Sequence, residues 1–77
     1  MVSFTEHQRV VLAKPVAAER LEPGDVGTVV HVYPDGLAYE VEFTTLDGGT
    51  AAVVTLEASD VRPVSHHEIT HARALAS

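Results

Sequence analysis

The sequence contains no cysteine and no tryptophan, and aromatic residues make up 5% of it. Without cysteine, neither a disulfide nor a thiolate-bound metal can stabilise the chain, a composition that fits a reducing compartment. Cations are scarce: Arg9, Lys14, Arg20, Arg62 and Arg73 are spread singly against 11 acidic residues, for a formal net charge of -6 with histidines neutral. Nucleic-acid binding rests on cations that neutralise phosphates. The field of this chain therefore disfavours nucleic acid and suits a basic protein as partner; the plainer alternative is that mild acidity keeps a small protein soluble. No apolar run approaches the ~20 residues that span a bilayer. Residues 1–7 lack the basic start and apolar core of a secretory signal. The expectation is a cytoplasmic protein that does not engage a membrane. At 77 residues it is one domain, 1–77, with thin stability.

What is present is organised around residues 23–43. From Leu37 to Phe43 the residues alternate, with Leu37, Tyr39, Val41 and Phe43 on one side and Ala38, Glu40 and Glu42 on the other. That period of two predicts a strand with one buried and one wet face. The β-branched stretch from Val26 to Tyr33 predicts its hairpin partner. Pro34-Asp35-Gly36 is the turn between them and Pro23-Gly24-Asp25 the turn before. Gly27, near a strand start, predicts a bulge or a close backbone approach.

Around this hairpin, residues 1–6 read as a loose lead-in. Residues 8–14 read as a first strand with Val10 and Leu12 inward, ended by Pro15. A loop with one helical turn at residues 17–20 leads into the hairpin. The polar turn at residues 45–49 precedes a strand over residues 50–56, with Ala52, Val54 and Leu56 inward. A single 3₁₀ turn at residues 57–61 and a short strand at residues 61–64 close the series. Strands this short joined by tight turns predict a mainly β fold, a small antiparallel barrel of about five strands over residues 6–64, with no free edges. Residues 65–77 change character. Ser65-His66-His67-Glu68 has the form of a capping box, and Ile69, Ala72, Leu75 and Ala76 fall on one helical face. This predicts a short C-terminal α-helix over residues 66–75, docked on the barrel or on a second copy to form a homo-oligomer.

Arg9-Val-Val-Leu, Leu21-Glu-Pro-Gly-Asp-Val-Gly-Thr-Val-Val, Ala38-Tyr-Glu-Val-Glu-Phe, Asp47-Gly-Gly-Thr and Ala58-Ser-Asp-Val-Arg-Pro recur together, in this order, in a family of short bacterial proteins. The chain resembles that family, the domain of unknown function DUF4926, over about residues 6–64. The resemblance implies an SH3-like small barrel with no recognised catalytic residues. Some family members look like one half of a two-gene toxin–antitoxin-type pair. Gly24-Asp25-Val26-Gly27-Thr28-Val29-Val30 is also similar to the KOW-type motif of ribosome and transcription-factor barrels. That likeness implies a nucleic-acid or ribosome-associated module as the alternative function. Residues beyond Pro63 lie outside the shared pattern.

One stretch matches a catalytic pattern outright. His67-Glu68-Ile69-Thr70-His71 is H-E-x-x-H, which on a helix places two histidines on one face for Zn²⁺ and a glutamate as general base. A third protein ligand is missing from residues 72–77, the chain is too short for a peptidase cleft, and Glu68 already has a capping role. We expect the match to be fortuitous as a peptidase motif. His67 and His71 then form an adventitious metal pair or a solvated helix start. Glu40 and Glu42 are paired carboxylates on an outer strand face, without the cleft that acid–base work needs; they read as solvated or as a contact for a basic partner. Tyr33 is the tyrosine expected outside the core and joins them as a candidate contact. His31 alternates with Val30 and Val32, on the side opposite those two valines, and reads as a surface histidine rather than a pH-sensitive group. No cofactor pattern is present, since Asp47-Gly48-Gly49-Thr50 is too short for a phosphate loop and lacks a following lysine. The leading expectation is a noncatalytic protein-interaction module, an antitoxin-like or accessory partner of a neighbouring gene product.

Overall fold

The computed structural model describes residues 3–75. Strands form where the β-branched and alternating stretches predict them: β1 (Arg9–Leu12), β2 (Val26–Val32), β3 (Ala38–Thr44), β4 (Thr50–Glu57) and β5 (Val61–Pro63). Single 3₁₀ turns occupy Ala17–Glu19 and Ala58–Asp60. All ladders are antiparallel and run in the order β4-β3-β2-β1-β5. Among the described residues no ladder joins β4 to β5, so the sheet is open rather than a closed barrel. The expectation that closure removes both edges is corrected accordingly: β4 and β5 are edge strands.

The turn chemistry is as the residues dictate. Gly36 adopts φ 71°, and the Asp35 carboxylate accepts the Leu37 amide at 2.9 Å. That bond fixes Leu37 in the turn ahead of β3, where it is 68% exposed. The inward row therefore begins at Tyr39, not Leu37, and continues through Val41 and Phe43. These pack with Val10 and Leu12 of β1, Val29 of β2, Ala52 and Leu56 of β4, Val61 of β5 and the loop residue Leu21, while Val54 packs partly buried at the margin. The lead-in is not loose at Phe4, which is buried. Its ring meets Tyr39 edge-on at 5.4 Å between centroids, and its amide donates to the Tyr39 hydroxyl at 3.3 Å. The phenol oxygen thus has a partner inside the core.

Gly27 serves a close approach, not a bulge. Its pairing with Val10 is regular, and a Cβ there would stand 2.6 Å from Val41 Cγ1 and 2.9 Å from Phe43 Cε2. The bulge in β2 lies three residues later. Val29 pairs with Val41 and His31 with Glu40, which leaves Val30 as the extra residue.

No C-terminal helix forms among residues 65–75, and the self-association reading that depended on it falls with it. A helix of about ten residues is marginal in water, and here side-chain partners elsewhere in the fold win. The Glu68 carboxylate does reach back to the Ser65 amide at 2.6 Å, but it also takes Arg62 in a bidentate pair at 3.0 and 2.7 Å. His67 is left-handed at φ 71°, which ends the turn, and Ile69 is 93% exposed. Ala76, the last member of the expected helical face, lies outside the described residues. The tail instead runs irregularly past the outer side of the sheet. There Val11 shares a shallow hollow with Val26, Val64 and Ile69.

Candidate partner-binding face

The cross-strand pairs define the outer face of β2, β3 and β4. Thr28, Glu42 and Val53 form one row, and His31, Glu40 and Thr55 the next. Directly opposed residues of an antiparallel pair share a face. His31 therefore lies on the same side as Glu40 and Glu42, contrary to the simple alternation of β2. The extra residue at Val30 reverses the parity beyond it, so Val29 and Val32 both face the core while His31 turns outward.

Tyr33 follows this shift. Its ring packs edge-on against His31 at 5.0 Å between centroids, and its hydroxyl donates to Glu40 Oε2 at 2.6 Å. The Thr55 hydroxyl donates to the same oxygen. These bonds, from Thr55 first and Tyr33 second, hold the Glu40 carboxyl below the usual range, and His31 nearby adds to the effect. The same contact with Glu40 raises the Tyr33 phenol. Glu42 accepts the Thr50 hydroxyl at 2.7 Å. The structure thus brings Tyr33 to Glu40 and sets Glu42 two residues along the same strand face. Acid–base catalysis at neutral pH asks for a carboxyl pushed upward; Glu40 is held downward, as a fixed acceptor. What the arrangement can do chemically is receive donors from a cation.

His67 and His71 lie on the tail, and the helix that would have aligned them is absent. The His67 ring meets His66 at 4.0 Å between centroids. Among the described residues no group of three or more His, Cys, Asp or Glu side chains could hold a metal ion. Lys14, Arg62 and Arg73 are engaged in ion pairs with Asp60, Glu68 and Asp25. Three of the five cations are therefore committed within the fold. The Asp25–Arg73 pair is the contact that sequence reasoning missed. Its partners lie 48 residues apart, and no local pattern marks so distant a pair.

The model for the domain of unknown function DUF4926 matches residues 6–63. The chain belongs to the DUF4926 family. No curated protein and no solved structure matches it. In this DUF4926 protein the matched segment ends at Pro63, the last residue of β5, so the whole sheet lies inside it and the tail outside. No helix among the described residues is long and apolar enough to cross a membrane.

Proposed function

We propose that this DUF4926 protein is a noncatalytic, cytoplasmic interaction module that binds a basic protein, in the manner of an antitoxin-like or accessory partner of a neighbouring gene product. The observation that carries the proposal is the outer face of β3. Glu40 and Glu42 are aligned there by Tyr33, Thr55 and Thr50, one strand away from the open edge of β4. That edge is eight residues long and carries neither lysine nor proline, whereas the β5 edge is three residues long and contains Arg62 and Pro63. Edges are ordinarily blunted by such devices, so β4 is the side prepared to take a partner strand. Its main-chain groups supply affinity and the acidic face supplies charge complementarity. The fold is read as SH3-like. The support is the strand order, in which β5 returns beside β1 after a 3₁₀ turn.

The experiment is co-purification with basic proteins encoded beside the gene, followed by titration calorimetry of the pair at two salt concentrations. Glu40→Gln with Glu42→Gln should weaken binding about 10-fold or more and flatten its salt dependence. Equal affinity for the double variant would refute the assignment of this face. The KOW-like alternative predicts salt-sensitive RNA binding, and the commitment of Lys14, Arg62 and Arg73 to internal pairs weighs against it.

A further inference from the structure

A second recognition feature lies away from the Glu40–Glu42 face and does not depend on it. The Arg73 guanidinium is inserted between the loop that precedes β2 and the tail itself. Its Nε donates to Asp25 Oδ1 at 2.9 Å and its Nη2 to Asp25 Oδ2 at 2.5 Å, a two-pronged contact. Nη2 also donates to the Arg20 carbonyl at 3.1 Å, and Nη1 stands 3.6 Å from Glu22 Oε2. Both members of the main pair are largely covered, with side-chain exposures of 24% for Arg73 and 18% for Asp25. The receiving side is built without Arg73. The Asp25 carboxylate accepts the Glu22 amide at 2.8 Å, and the Asp25 amide donates back to the Glu22 carbonyl at 3.1 Å. Arg20, left-handed at φ 59°, closes the 3₁₀ turn at Ala17–Glu19. The carboxylate is thus aimed by its own loop.

The occupant is held differently from the rest of the chain. Among the described residues no backbone hydrogen bond joins residues 69–75 to the sheet. The Arg73 side chain is their polar attachment. Beside it runs an open groove of about 260 Å³, with Leu21, Val26, Phe43, Leu46 and Ala51 on the sheet side and residues 70–73 and 75 on the other. Arg20, Glu22 and Asp25 lie inside the family-matched segment, and Arg73 lies outside it.

We propose that Asp25, Glu22 and the Arg20 carbonyl form a guanidinium socket, filled in cis by Arg73, that accepts an arginine on an extended segment of a basic partner once the tail is displaced. The fork of a guanidinium matches the two oxygens of Asp25, which an ammonium cannot do. The tethered tail competes at an effective concentration on the millimolar scale, so an incoming segment must also use the apolar groove.

The test uses the full chain with Arg73→Ala and a capped hexapeptide copying residues 70–75, followed by amide chemical shifts in a titration. The expected result is saturable binding to Arg73→Ala, with shifts at Arg20, Glu22 and Asp25. Binding to the parent chain should be at least about 10-fold weaker, because its socket is filled. A peptide with lysine in place of arginine should bind Arg73→Ala about 10-fold more weakly. Adding Asp25→Asn should abolish binding; since Asp25 also orders its loop, Glu22→Gln provides a milder second variant, expected to weaken binding a few-fold. Equal affinity for the parent and Arg73→Ala, equal affinity for the lysine peptide, or shifts confined to other residues would each overturn the proposal. None of these outcomes bears on the Glu40–Glu42 face, whose test reads a different pair of residues.

Discussion

Gly27→Ala isolates the contact on which the sheet closes down most tightly. A methyl at this position would meet Val41 Cγ1 at 2.6 Å and Phe43 Cε2 at 2.9 Å, with the Glu42 carbonyl oxygen at 3.1 Å. Val41 is fully buried, so its methyl has nowhere to retreat. Overpacking of this kind costs about 1–3 kcal/mol. Against it stands the gain from a less flexible unfolded chain, about 0.4–1 kcal/mol. The steric cost wins, and the net loss is about 1–2 kcal/mol. A chain of 77 residues at ~0.05–0.15 kcal/mol per residue has about 4–12 kcal/mol in total, so the loss is a sizeable share. In a domain of this size it lowers Tm by about 4–16 °C.

The measurement is thermal unfolding by circular dichroism, with urea titration for the free energy. Val41→Ala supplies the decisive comparison. Alone it leaves a cavity and costs on the order of 2 kcal/mol, but it removes the atom that a Gly27 methyl would strike. The double variant should therefore be more stable than the sum of the two losses implies, by about 1 kcal/mol. Gly24→Ala is the control. Gly24 has φ 98° with no atom within 4 Å of a Cβ, so its loss comes from backbone conformation and is indifferent to Val41. A Gly27→Ala protein that melts within about 2 °C of the parent, or a double variant that is simply additive, would refute the close approach.

The remaining predictions concern the tail, the outer face and the bulge. Arg62, with help from the Ser65 amide, holds the Glu68 carboxyl down from an ordinary 4.5 to about 2, and Arg73 holds Asp25 below its ordinary 3.8. Carboxyls depressed in the folded state stabilise it fully above their ordinary values and lose that effect as pH falls through the folded ones. The tail should therefore stay fastened at pH 5 and loosen between about pH 4.5 and 2, as read from the amide shifts of Ile69. Arg62→Gln should return Glu68 toward 4.5, and a parent Glu68 already titrating there would contradict the pair. Tyr33→Phe should raise the Glu40 carboxyl toward its ordinary value in a carbon-detected titration, with Tm within about 2 °C of the parent; an unmoved Glu40 would mean the phenol does not hold it. Deleting Val30 should leave a cooperative fold with His31 still opposite Glu40, because removing the extra residue restores a regular ladder, at a cost of about 1–2 kcal/mol for the lost twist. Failure of that variant to fold would contradict the bulge.

Much of the sheet was legible because its signals are local. The alternation through Tyr39, Val41 and Phe43, the glycine and proline turns and the two 3₁₀ pieces each follow from a few neighbouring residues. The tail was not legible for the opposite reason. Ser65 and Glu68 do form half of the capping arrangement that the sequence suggests, but whether a helix follows depends on Arg62 and on Asp25. Local preference in residues 66–75 is weak, and two ion pairs formed across the fold outweigh it. The same limit applied at the edges. Whether β4 and β5 pair is a matter of sheet curvature, which no stretch of either strand encodes alone. On the candidate face, Glu40 and Glu42 point outward because they alternate with the buried Tyr39, Val41 and Phe43 of their own strand, whereas Tyr33 follows β2 and reaches the face through the bulge. His31 is exposed, as a surface histidine should be, but the bulge at Val30 beside it was not legible, because a bulge is a property of two strands and β2 by itself reads as continuous alternation.

That bulge links fold to function more closely than any other feature of the chain. Val29 and Val32 are three residues apart, so strict alternation would send them to opposite faces, yet both pack on the core. One unpaired residue resolves the conflict, and the residue chosen, Val30, is left 38% exposed. What the sheet gains is a side chain parity that carries His31 and Tyr33 to the Glu40 side. Were Val30 paired in a regular ladder instead, the Glu40 carboxylate would have the Thr55 hydroxyl alone to orient it, and the aromatic flank of the face would be missing. Local regularity is broken in β2 at the point where the acidic face is assembled, while Gly27, two residues before Val29, lets the same strand lie close against Val41. Departures from local rules that the surrounding core supports tend to mark functional positions. On that physical ground the cluster of His31, Tyr33, Glu40 and Thr55 is the place where substitutions that spare the fold should change partner binding most.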